Sequence, residues 1–546
     1  SGGQVNKAEK ISFKFNGKIF LGFKGDTLAS ALLANGIHLI GRSFKYHRPR
    51  GILTSGAEEP NALVQVIKDK ASIDPNTRAT QVEIFEGLNA ESQNCWPNVN
   101  FDVGVINNIF SPIIPAGFYY KTFMWPAKLW KNYEGFIRRF AGLGKSPTEN
   151  DPDIYDHKYY HCEVLIIGSG PAGLAAAKIA VKTGKKILLV DEKPHFGGNL
   201  TFAEEELTKI NELIPLEWIN KTCTELQNYK NIKILNRTSV AAYHNYNYLI
   251  MMQNLSDHLS EKEKKEKIRQ RLWKVRAKKV ILATGSIERP MIFDCNDRPG
   301  IMLSSAVRKY INYYSVKCGN NVVIFTSNDD AYETAISLHN KDVKIEAIID
   351  IREQSSGDLP KKCNELGIKI LWKSTVVYTE GHKKITKVHA MKLSEDNKST
   401  IGNKLKINCD LLCVSGGYTP AIHLFTQSGG KLAFDEKKYC FQPKSTPLNQ
   451  ISVGSCNGTF DLKNIIEESQ KKTNEFLKLN HDNQINISES INGSFENIWL
   501  LPSDKISGKT KSFVDYQNDT TANDIKLALR EGYKSIEHVK RYTTTG

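Results

Sequence analysis

The stretch that decides the fold is Glu163-Val-Leu-Ile-Ile-Gly-Ser-Gly-Pro-Ala-Gly173. Its first half is a short apolar run that predicts a buried strand, and its second half carries glycines with the spacing GxGxxG. An alanine-rich helix is expected next, and a second apolar run, Ile187–Val190, ends at Asp191. This order of strand, glycine turn, helix and strand with a terminal acid predicts a Rossmann-type unit that binds an adenine dinucleotide.

Each residue type in this unit has an expected role in binding. Gly168 permits the tight turn, Gly170 lets the backbone approach the pyrophosphate, and Gly173 lets helix and strand pack closely. The pyrophosphate is expected at the positive end of the helix, where backbone N–H groups are free. A carboxylate at Asp191 or Glu192 is expected to accept hydrogen bonds from the adenosine ribose, which favours NAD or FAD over NADP.

Two later segments predict strands that return to the same site. Residues 280–285 and 451–458 are each an apolar run that ends in a turn of small residues. In flavoproteins with two dinucleotide-binding units, such strands lie beside the first nucleotide. Gly454, Ser455 and Phe460 are therefore candidate cofactor contacts of a second tier.

A second Rossmann-like unit is expected between those segments. Its first strand is Asn321-Val-Val-Ile-Phe325, a helix follows to about residue 340, and residues 343–350 form the next strand. The glycine positions hold Thr326, Asn328 and Ala331, whose side chains would occupy the space that a pyrophosphate needs. We interpret this unit as a fold that has lost its own nucleotide. The absence of a CxxC pair likewise disfavours a disulfide reductase that uses NAD(P)H.

The N-terminal residues predict a hairpin followed by a helix. Asn16-Gly17 lies between two alternating runs, which is a strong hairpin signal. Asp26 is the expected N-cap of the helix and Gly36 its end. A plant-type ferredoxin begins in this way, yet residues 41–51, where cluster cysteines would lie, contain none. We expect the ferredoxin-like fold without its cluster.

Four further segments carry expectations about organisation. The basic run Lys45-Tyr-His-Arg-Pro-Arg50 is interpreted as a grip on a neighbouring acidic surface or on another domain. Residues 96–160 are rich in aromatic residues and are expected to be a connector. The charged residues 256–276 predict a solvated excursion that includes a helix, and residues 524–539 predict a terminal helix.

Length and composition limit the class of protein. A chain of 546 residues suggests about three or four domains. Its ten cysteines are scattered without a CxxC pair, which indicates reduced thiols in a cytoplasmic protein and no metal site. No apolar run has the length of a membrane span. The net charge of +15 is spread along the chain, so neither nucleic acid nor membrane is an expected partner.

The predicted fold class is α/β: a Rossmann fold with two dinucleotide-binding units of the FAD/NAD(P) type, preceded by a ferredoxin-like β-grasp domain without cluster cysteines and followed by a small C-terminal α module. The expected divisions are the ferredoxin-like domain at 1–95, the connector at 96–160, the first part of the dinucleotide-binding domain at 161–320, the second Rossmann-like unit at 321–404, the return strands at 405–465 and the C-terminal helical module at 466–546.

Long strings of this sequence resemble the alpha subunit of heterotetrameric sarcosine oxidase. They include Gly25-Asp-Thr-Leu-Ala-Ser-Ala-Leu-Leu-Ala-Asn-Gly36, residues 41–52, Glu58-Glu-Pro-Asn-Ala62, residues 283–290, Phe513-Val-Asp-Tyr-Gln-Asn-Asp519 and the closing residues 537–546. The likeness covers essentially the whole chain, and the strings are long enough to be specific.

The resemblance implies a complex that oxidatively demethylates sarcosine to glycine, passes the one-carbon unit to tetrahydrofolate or releases formaldehyde, and forms hydrogen peroxide. It implies NAD on this chain, FAD on the beta subunit, FMN near the alpha–beta contact, and gamma and delta subunits as further partners. Family alpha chains continue into a folate-binding domain, so a fragment that lacks this domain is expected. The implied NAD-binding residues are Gly168, Gly170, Ala172, Gly173, Asp191 and Glu192, with Lys193 following.

Two other functions stay open at this point. One is a subunit of an opine or amine oxidase or dehydrogenase with FAD at Gly168, and the other is a scaffold that a bound dinucleotide merely stabilises. The sequence contains no Ser-His-Asp pattern, no HExxH and no paired metal cysteines. No catalytic residue is therefore assigned, and no metal-binding residue is expected.

Overall fold

The computed structural model describes residues 3–111, 116–117, 125–140, 144–260, 262–264, 268–479, 485–490, 493–503 and 510–546. Along the chain, a mixed N-terminal sheet is followed by two α/β units and by a short helical segment. The predicted α/β class, with a ferredoxin-like domain ahead of a two-unit Rossmann fold, is confirmed.

The N-terminal region is a five-stranded sheet in the order β2-β1-β7-β5-β6 with one helix against it. Its elements are β1 Asn6–Phe15, β2 Lys18–Lys24, α1 Leu28–Ala34, β3 Gly41–Arg42, β4 Pro49–Arg50, β5 Leu63–Ile67, β6 Ile73–Arg78 and β7 Asn89–Ser92. The predicted hairpin at Asn16-Gly17 is confirmed. The predicted N-cap was wrong: the Thr27 hydroxyl accepts the Ser30 amide, whereas the Asp26 carboxylate accepts the Ser30 hydroxyl.

The first nucleotide-type unit follows the connector. Elements of these two segments are α2 Ile106–Ile109, α3 Trp130–Phe140, β8 Ile154–Ile167, α4 Pro171–Ala180, β9 Ile187–Val190, β10 Lys209–Ile210, α5 Pro215–Gln227, β11 Ile232–Leu235, β12 Thr238–His244, β13 Tyr248–Asn254 and β14 Ile268–Leu282. Strands β11, β9, β8 and β14 run parallel, and β13 and β12 continue the sheet antiparallel. The register aligns Ile167 with Val190 and Leu282, so three carboxyl ends meet at one edge.

The expectation for residues 256–276 was wrong. Strand β14 begins at Ile268 and is paired on both sides, with β8 and β13. In the described part of 256–276 no helix forms. The charges mislead because they are neutralised within the fold: Arg269 binds Asp74, Asp153 and Asp257 together.

The second unit contains a parallel sheet in the order β16-β23-β17-β18-β19 and an antiparallel sheet β20-β21-β22. Its elements are β15 Ser286–Glu288, β16 Ile301–Leu303, α6 Ser304–Asn312, β17 Asn321–Thr326, α7 Asp330–His339, β18 Lys344–Asp350, α8 Asp358–Glu365, β19 Ile370–Leu371, β20 Ser374–Gly381, β21 Ile385–Leu393, β22 Thr400–Asn408 and β23 Leu411–Ser415. The predicted strand, helix and strand of a second Rossmann-like unit are confirmed by β17, α7 and β18.

The remaining elements return to the first unit and then form the carboxyl-terminal segment. They are β24 Tyr418–Pro420, α9 His423–Gln427, β25 Lys431–Asp435, β26 Cys440–Ser445, β27 Gln450–Ser452, α10 Leu462–Leu477, β28 Ile487–Ser488, β29 Phe513–Asp515, β30 Thr520–Thr521, α11 Ala522–Arg530 and α12 Ile536–Thr543. Strand β27 joins β14, as a return strand should. The single helix expected at 524–539 was wrong, because Gly532 has φ +93° and separates two helices.

The domain division stays a prediction. Its expected boundaries after residues 160, 404 and 465 fall within β8, β22 and α10. Among the helices that the structure describes, none combines the length and apolarity needed to cross a bilayer.

The basic loop ties three regions of the chain together. The Arg48 guanidinium makes two hydrogen bonds to Asp297, of 2.6 and 2.7 Å, and Arg50 binds both Asp297 and Asp519. Burial alone would raise the pKa of Asp297, but the two guanidinium groups lower it to about 2. The predicted grip on a neighbouring acidic surface is confirmed.

Candidate dinucleotide-binding site

A cavity of about 950 Å³ opens where β8, β9 and β14 end. Its position at the carboxyl ends of parallel strands is the usual ligand site of open α/β sheets, and its volume is near the upper end for small-molecule sites. Eight of the predicted residues line it: Gly168, Gly170, Ala172, Asp191, Glu192, Lys193, Ser455 and Phe460. Among the described residues, Gly173 and Gly454 lie outside this lining.

The three glycines of the first loop are required for different reasons. Gly168 has φ +96°, and a Cβ there would lie 2.2 Å from the Ala283 carbonyl oxygen. A Cβ at Gly173 would lie 1.9 Å from the Gly168 carbonyl oxygen. At Gly170 the nearest such atom is Gly198 Cα at 3.9 Å, so the fold has space there. Gly170 alone of the three is free to serve a ligand, since the other two are needed for packing.

Helix α4 presents its amino end to this cavity. It begins with Pro171 at its first position, which suits a proline because the first amides of a helix have no partner within it. Gly170 precedes it and supplies no side-chain cap. The exposed amides and the helix dipole together favour a phosphate-type anion at this point.

Asp191 holds the glycine loop in place. One of its carboxylate oxygens accepts the Ser169 amide at 2.7 Å and the Ser169 hydroxyl at 2.5 Å, and the other accepts the Lys193 amide at 2.9 Å. A carboxylate has about four acceptor sites, so Asp191 retains capacity for a ribose hydroxyl. Its main contribution in this fold is to join the ends of β8 and β9.

Glu192 is the more open of the two acids and faces the cavity. Its pKa is raised because the cavity walls remove part of its hydration, and because the Asp191 and Glu58 carboxylates repel its charge. Of the two acids, Glu192 is therefore the one that a ligand in the cavity can reach more easily.

The return segment contributes in two ways. Ser455 and Phe460 line the cavity, and the Phe460 ring lies against Tyr418 with centroids 6.3 Å apart. Gly454 has φ +72°, and a Cβ there would lie 2.7 Å from the Ala172 Cβ. Gly454 thus permits close packing against α4.

Sequence reasoning missed several lining residues. They are Ala57 and Glu58 of the N-terminal region, Asn199 and Leu200 after β9, residues 238–241 of β12, and Asn328, Asp330 and Glu333 of the second unit. The pair Gly197-Gly198 offered a signal for Asn199, since both glycines have positive φ directly after the second strand. The others come from distant segments and follow from the tertiary structure.

The second unit has a different arrangement at the equivalent loop. The Asp329 carboxylate lies at the start of α7, where it accepts the Gly493 amide at 2.6 Å and pairs with Arg352 at 2.8 Å. Arg352 also pairs with Asp350, the acid that ends β18. The Glu496 amide donates to the Ser327 carbonyl and Arg352 donates to the Ser494 carbonyl, so residues 493–496 lie against the loop. The Asp329 carboxylate is turned to Arg352 and Gly493 and makes no cap hydrogen bond to α7.

Acidic groups also surround the wall that this second unit gives to the cavity. Arg308 binds Asp330 and Glu333, and the Tyr418 hydroxyl donates to Asp330. Nearby, burial and then the Asp330 charge raise the pKa of Glu288 to about 7. Glu288 lies outside the cavity lining that the described residues form, so it has no direct contact with a ligand there.

Comparison with known proteins agrees with this architecture. The model of the pyridine nucleotide-disulphide oxidoreductase family matches residues 162–442, just over half of the chain. The chain belongs to this family. Unlike a disulfide reductase, it has ten cysteines that are all free, none in a CxxC pair. A 2Fe-2S cluster binding domain matches residues 8–95, and a sarcosine oxidase A3 domain matches residues 509–546.

Similar proteins extend over the full chain. It is 40% identical to the sarcosine oxidase subunit alpha of Rhizobium meliloti (strain 1021) over all of this chain and 54% of that protein. It is 33% identical to the subunit alpha of Corynebacterium sp. (strain P-1), over 99% of this chain and 52% of that protein. The chain therefore spans about half the length of the curated relatives it matches.

A solved structure shares the fold. L-proline dehydrogenase from P. horikoshii aligns with a TM-score of 0.65 and 19% identity, covering 99% of this chain and 89% of that one.

The residues of the N-terminal domain do not fit an iron–sulfur cluster. Cys95 is the only cysteine within the matched residues 8–95, whereas a [2Fe–2S] cluster takes four. In place of cluster ligands, the loop at 41–51 carries the arginines that bind Asp297 and Asp519.

Proposed function

We propose that this chain is the NAD-binding part of the alpha subunit of a sarcosine oxidase. The assembled enzyme would demethylate sarcosine to glycine, pass the one-carbon unit to tetrahydrofolate or release formaldehyde, and form hydrogen peroxide. The observation that carries the proposal is the full-length likeness to sarcosine oxidase alpha subunits. The open glycine loop at Gly170, beside a cavity of about 950 Å³, supports the dinucleotide.

Charge and space at the cavity favour a dinucleotide without a 2′-phosphate, and the likeness to sarcosine oxidase alpha subunits favours NAD over FAD. The amino end of α4 would receive the pyrophosphate, with Gly170 and Ala172 allowing its approach. Glu192, with Asp191, would accept the ribose hydroxyls and disfavour a 2′-phosphate. Lys193, Ser455 and Phe460 would complete the walls around the cofactor.

The chain's own residues bind and orient the cofactor. NAD, when bound, would supply a hydride acceptor. Acids and bases do line the cavity, among them Glu192, Glu333 and His423, but no geometry assigns one of them a proton-transfer step. Glu288 and Lys309, whose pKa values are each shifted to about 7, lie behind that wall. The proposed role is therefore to carry NAD within the complex, with oxidation of sarcosine elsewhere.

The rest of the proposal concerns the complex. Beta, gamma and delta subunits would be the partners, with FAD and FMN on or at the beta subunit. Tetrahydrofolate would bind to the part of the relatives that this chain does not match. A cytoplasmic location is proposed from the scattered free cysteines.

The cofactor is tested by denaturing the purified chain and identifying the released nucleotide by mass spectrometry. We expect NAD at one per chain and no visible flavin absorbance. FAD in its place would favour an opine or amine oxidase subunit and would overturn the NAD assignment.

A second experiment tests the role of the dinucleotide. The complex is assembled with the Gly170→Ala chain, and hydrogen peroxide formation from sarcosine is measured beside nucleotide content. Loss of both supports a functional cofactor. Full activity in a complex that has lost the nucleotide would mean that this chain is a scaffold.

A further inference from the structure

A loop of the N-terminal region reaches the dinucleotide cavity. Ala57 and Glu58 line the same cavity as Asp191, Glu192 and Lys193, although they come from the ferredoxin-like domain. The Glu58 side chain is exposed to this space. The loop includes Glu58-Glu-Pro-Asn-Ala62, one of the strings that resemble sarcosine oxidase alpha subunits, and the functional proposal above gives it no role.

The neighbouring acid, Glu59, makes this loop rigid. Its buried carboxylate accepts hydrogen bonds from four backbone amides at 2.6 to 3.0 Å and from one hydroxyl. The donors are the amides of Leu53, Thr54, Asn61 and Ala62 and the hydroxyl of Thr54. Such a carboxylate fixes the two ends of the loop against each other, so the position of Glu58 is set before any ligand arrives.

Helix α6 fixes the same loop from the other side. The Tyr310 hydroxyl donates to the Thr54 carbonyl at 2.9 Å, and the Lys309 ammonium donates to the Ser55 carbonyl at 3.3 Å. The loop is thus held between its own domain and the dinucleotide-binding fold. Glu58 is the charged residue that this loop presents to the cavity, close enough to Glu192 for their charges to interact.

The charges around Lys309 show how close these acids lie to one another. Burial, and then the charge of Lys193, lower the pKa of Lys309 to about 7, while Glu58, Glu192 and Asp191 act in the opposite direction. Lys309 therefore senses all three carboxylates at once. The three acids outnumber the two lysines, Lys193 and Lys309, and Lys309 is only partly charged at neutral pH. The part of the cavity beside these residues is therefore acidic.

We propose that Glu58 is a specificity-determining residue of the dinucleotide site, which rejects a phosphate on the adenosine 2′-hydroxyl and thereby selects NAD over NADP. This inference rests on the proposed NAD site. A phosphate monoester carries roughly −1.5 to −2 charges at neutral pH. Because the backbone that carries Glu58 is held from both sides, its carboxylate stays within reach of this part of the cavity, and its repulsion adds to that of Glu192.

The test uses the full chain stripped of nucleotide and titrated by calorimetry with NAD⁺ and with NADP⁺. In Glu58→Gln we expect NADP⁺ to bind about tenfold more tightly than in the parent, because one repelling charge is gone. The dissociation constant for NAD⁺ should change by less than about threefold, as for one hydrogen bond lost to a neutral acceptor. Glu58→Lys should strengthen NADP⁺ further.

Glu91→Gln is the matched control, because it removes an exposed carboxylate of the same domain outside the cavity lining. It should leave both dissociation constants unchanged. If the parent binds NAD⁺ and Glu58→Gln rejects NADP⁺ as strongly as before, the role of Glu58 is wrong and the NAD site stands. An equal loss of both ligands would make Glu58 a structural residue. If the parent fails to bind NAD⁺, the proposed function and this inference fall together.

Discussion

The two Rossmann units of this chain have the same order of elements. They differ in the loop that joins the first strand to the helix. In each, a strand leads through a loop into a helix, and the next strand ends in an acid, Asp191 or Asp350. In the first unit the helix begins beside a cavity, and its acid holds the loop through Ser169. In the second, Asp329 lies at the helix start and pairs with Arg352.

The difference teaches what a nucleotide loop must keep. The positive end of a helix attracts an anion whether or not a ligand exists. In the first unit this end is available to a pyrophosphate, and in the second the Asn328 side chain accepts the Asp330 amide while Asp329 pairs with Arg352. Thr326 and Asn328 strengthen the closed form, since the Thr326 hydroxyl accepts the Asn328 amide and the Asn328 side chain donates to the Ser415 hydroxyl. In the second loop, non-glycine residues at these positions occur together with an internal ion pair between Asp329 and Arg352.

The largest expected effect comes from breaking the closed loop. Arg352→Met would leave the Asp329 and Asp350 carboxylates buried without their cation, and the free energy of unfolding should fall by about 3–5 kcal/mol. Urea titration followed by tryptophan fluorescence measures this. Lys361→Met is the control: it removes an exposed ion pair with Asp358 and should cost less than about 1 kcal/mol. Equal stability of the two variants would contradict a buried structural ion pair.

A substitution in the loop of the first unit should change ligand affinity and leave stability unchanged. Gly170→Ala adds a methyl group that the fold accommodates but a pyrophosphate does not, so the dissociation constant for NAD⁺ should rise by roughly 10- to 100-fold. Calorimetric titration measures the affinity, and the unfolding midpoint should stay within experimental error. Gly135→Ala, in the exposed part of α3, should leave the dissociation constant for NAD⁺ unchanged and can only raise the unfolding midpoint, since alanine favours the helix. Unchanged NAD⁺ affinity in Gly170→Ala would remove the first loop from the site.

A smaller effect is expected at the acid between the two units. The pKa of Glu288 rises from its ordinary 4.5 to about 7, through burial and then through Asp330, so the folded state holds this proton more tightly than the unfolded one. The stability due to the protonated acid is complete below pH 4.5 and is lost as pH rises through 7. Glu288→Gln should abolish this loss, worth roughly 1–3 kcal/mol. Urea titrations at pH 5 and pH 8 should therefore differ less in the variant, and an unchanged difference would place the titration elsewhere.

Restoring the glycines of the second loop should have no effect on nucleotide binding. Replacing Thr326, Asn328 and Ala331 with glycine restores the glycine spacing of the second loop but leaves Asp329 and Arg352 in place. We expect the nucleotide content to stay at one per chain, measured by mass spectrometry after denaturation. A second bound nucleotide would show that the side chains alone closed the loop and that the ion pair is incidental.

Sequence patterns predicted the features that depend on residues close together in the chain. Glycine spacing and the acid at Asp191 predicted the first loop, because turn and close packing are local demands. The missing glycines at Thr326, Asn328 and Ala331 likewise predicted a loop unlike the first. The pattern could not predict which residues contact the second loop, because Arg352 and residues 493–496 approach it only in the tertiary structure.

The predictions were wrong or incomplete where residues distant in the chain determine the local structure. The charged residues before Trp273 have the composition of a solvated segment, yet Arg269 binds Asp74 and Asp153 from two distant parts of the chain as well as Asp257 of its own segment. The sequence motif that contains Glu58 indicates the family, but it does not predict that Glu58 lines the cavity, because its position depends on Glu59 and on α6. The cap of α1 was displaced by one residue, since Asp26 and Thr27 both have side chains suited to capping.

The guanidinium of Arg50 also sets an order of events during synthesis. Its two carboxylate partners follow it by 247 and 469 positions. At roughly 5–20 residues per second, the ribosome reaches Asp519 some 25 to 90 seconds after Arg50 has been made. Asp297 is made about midway through that period, and it can pair with Arg48 and Arg50 at once. The Arg50 guanidinium therefore has only one of its two carboxylate partners until Asp519 has been made.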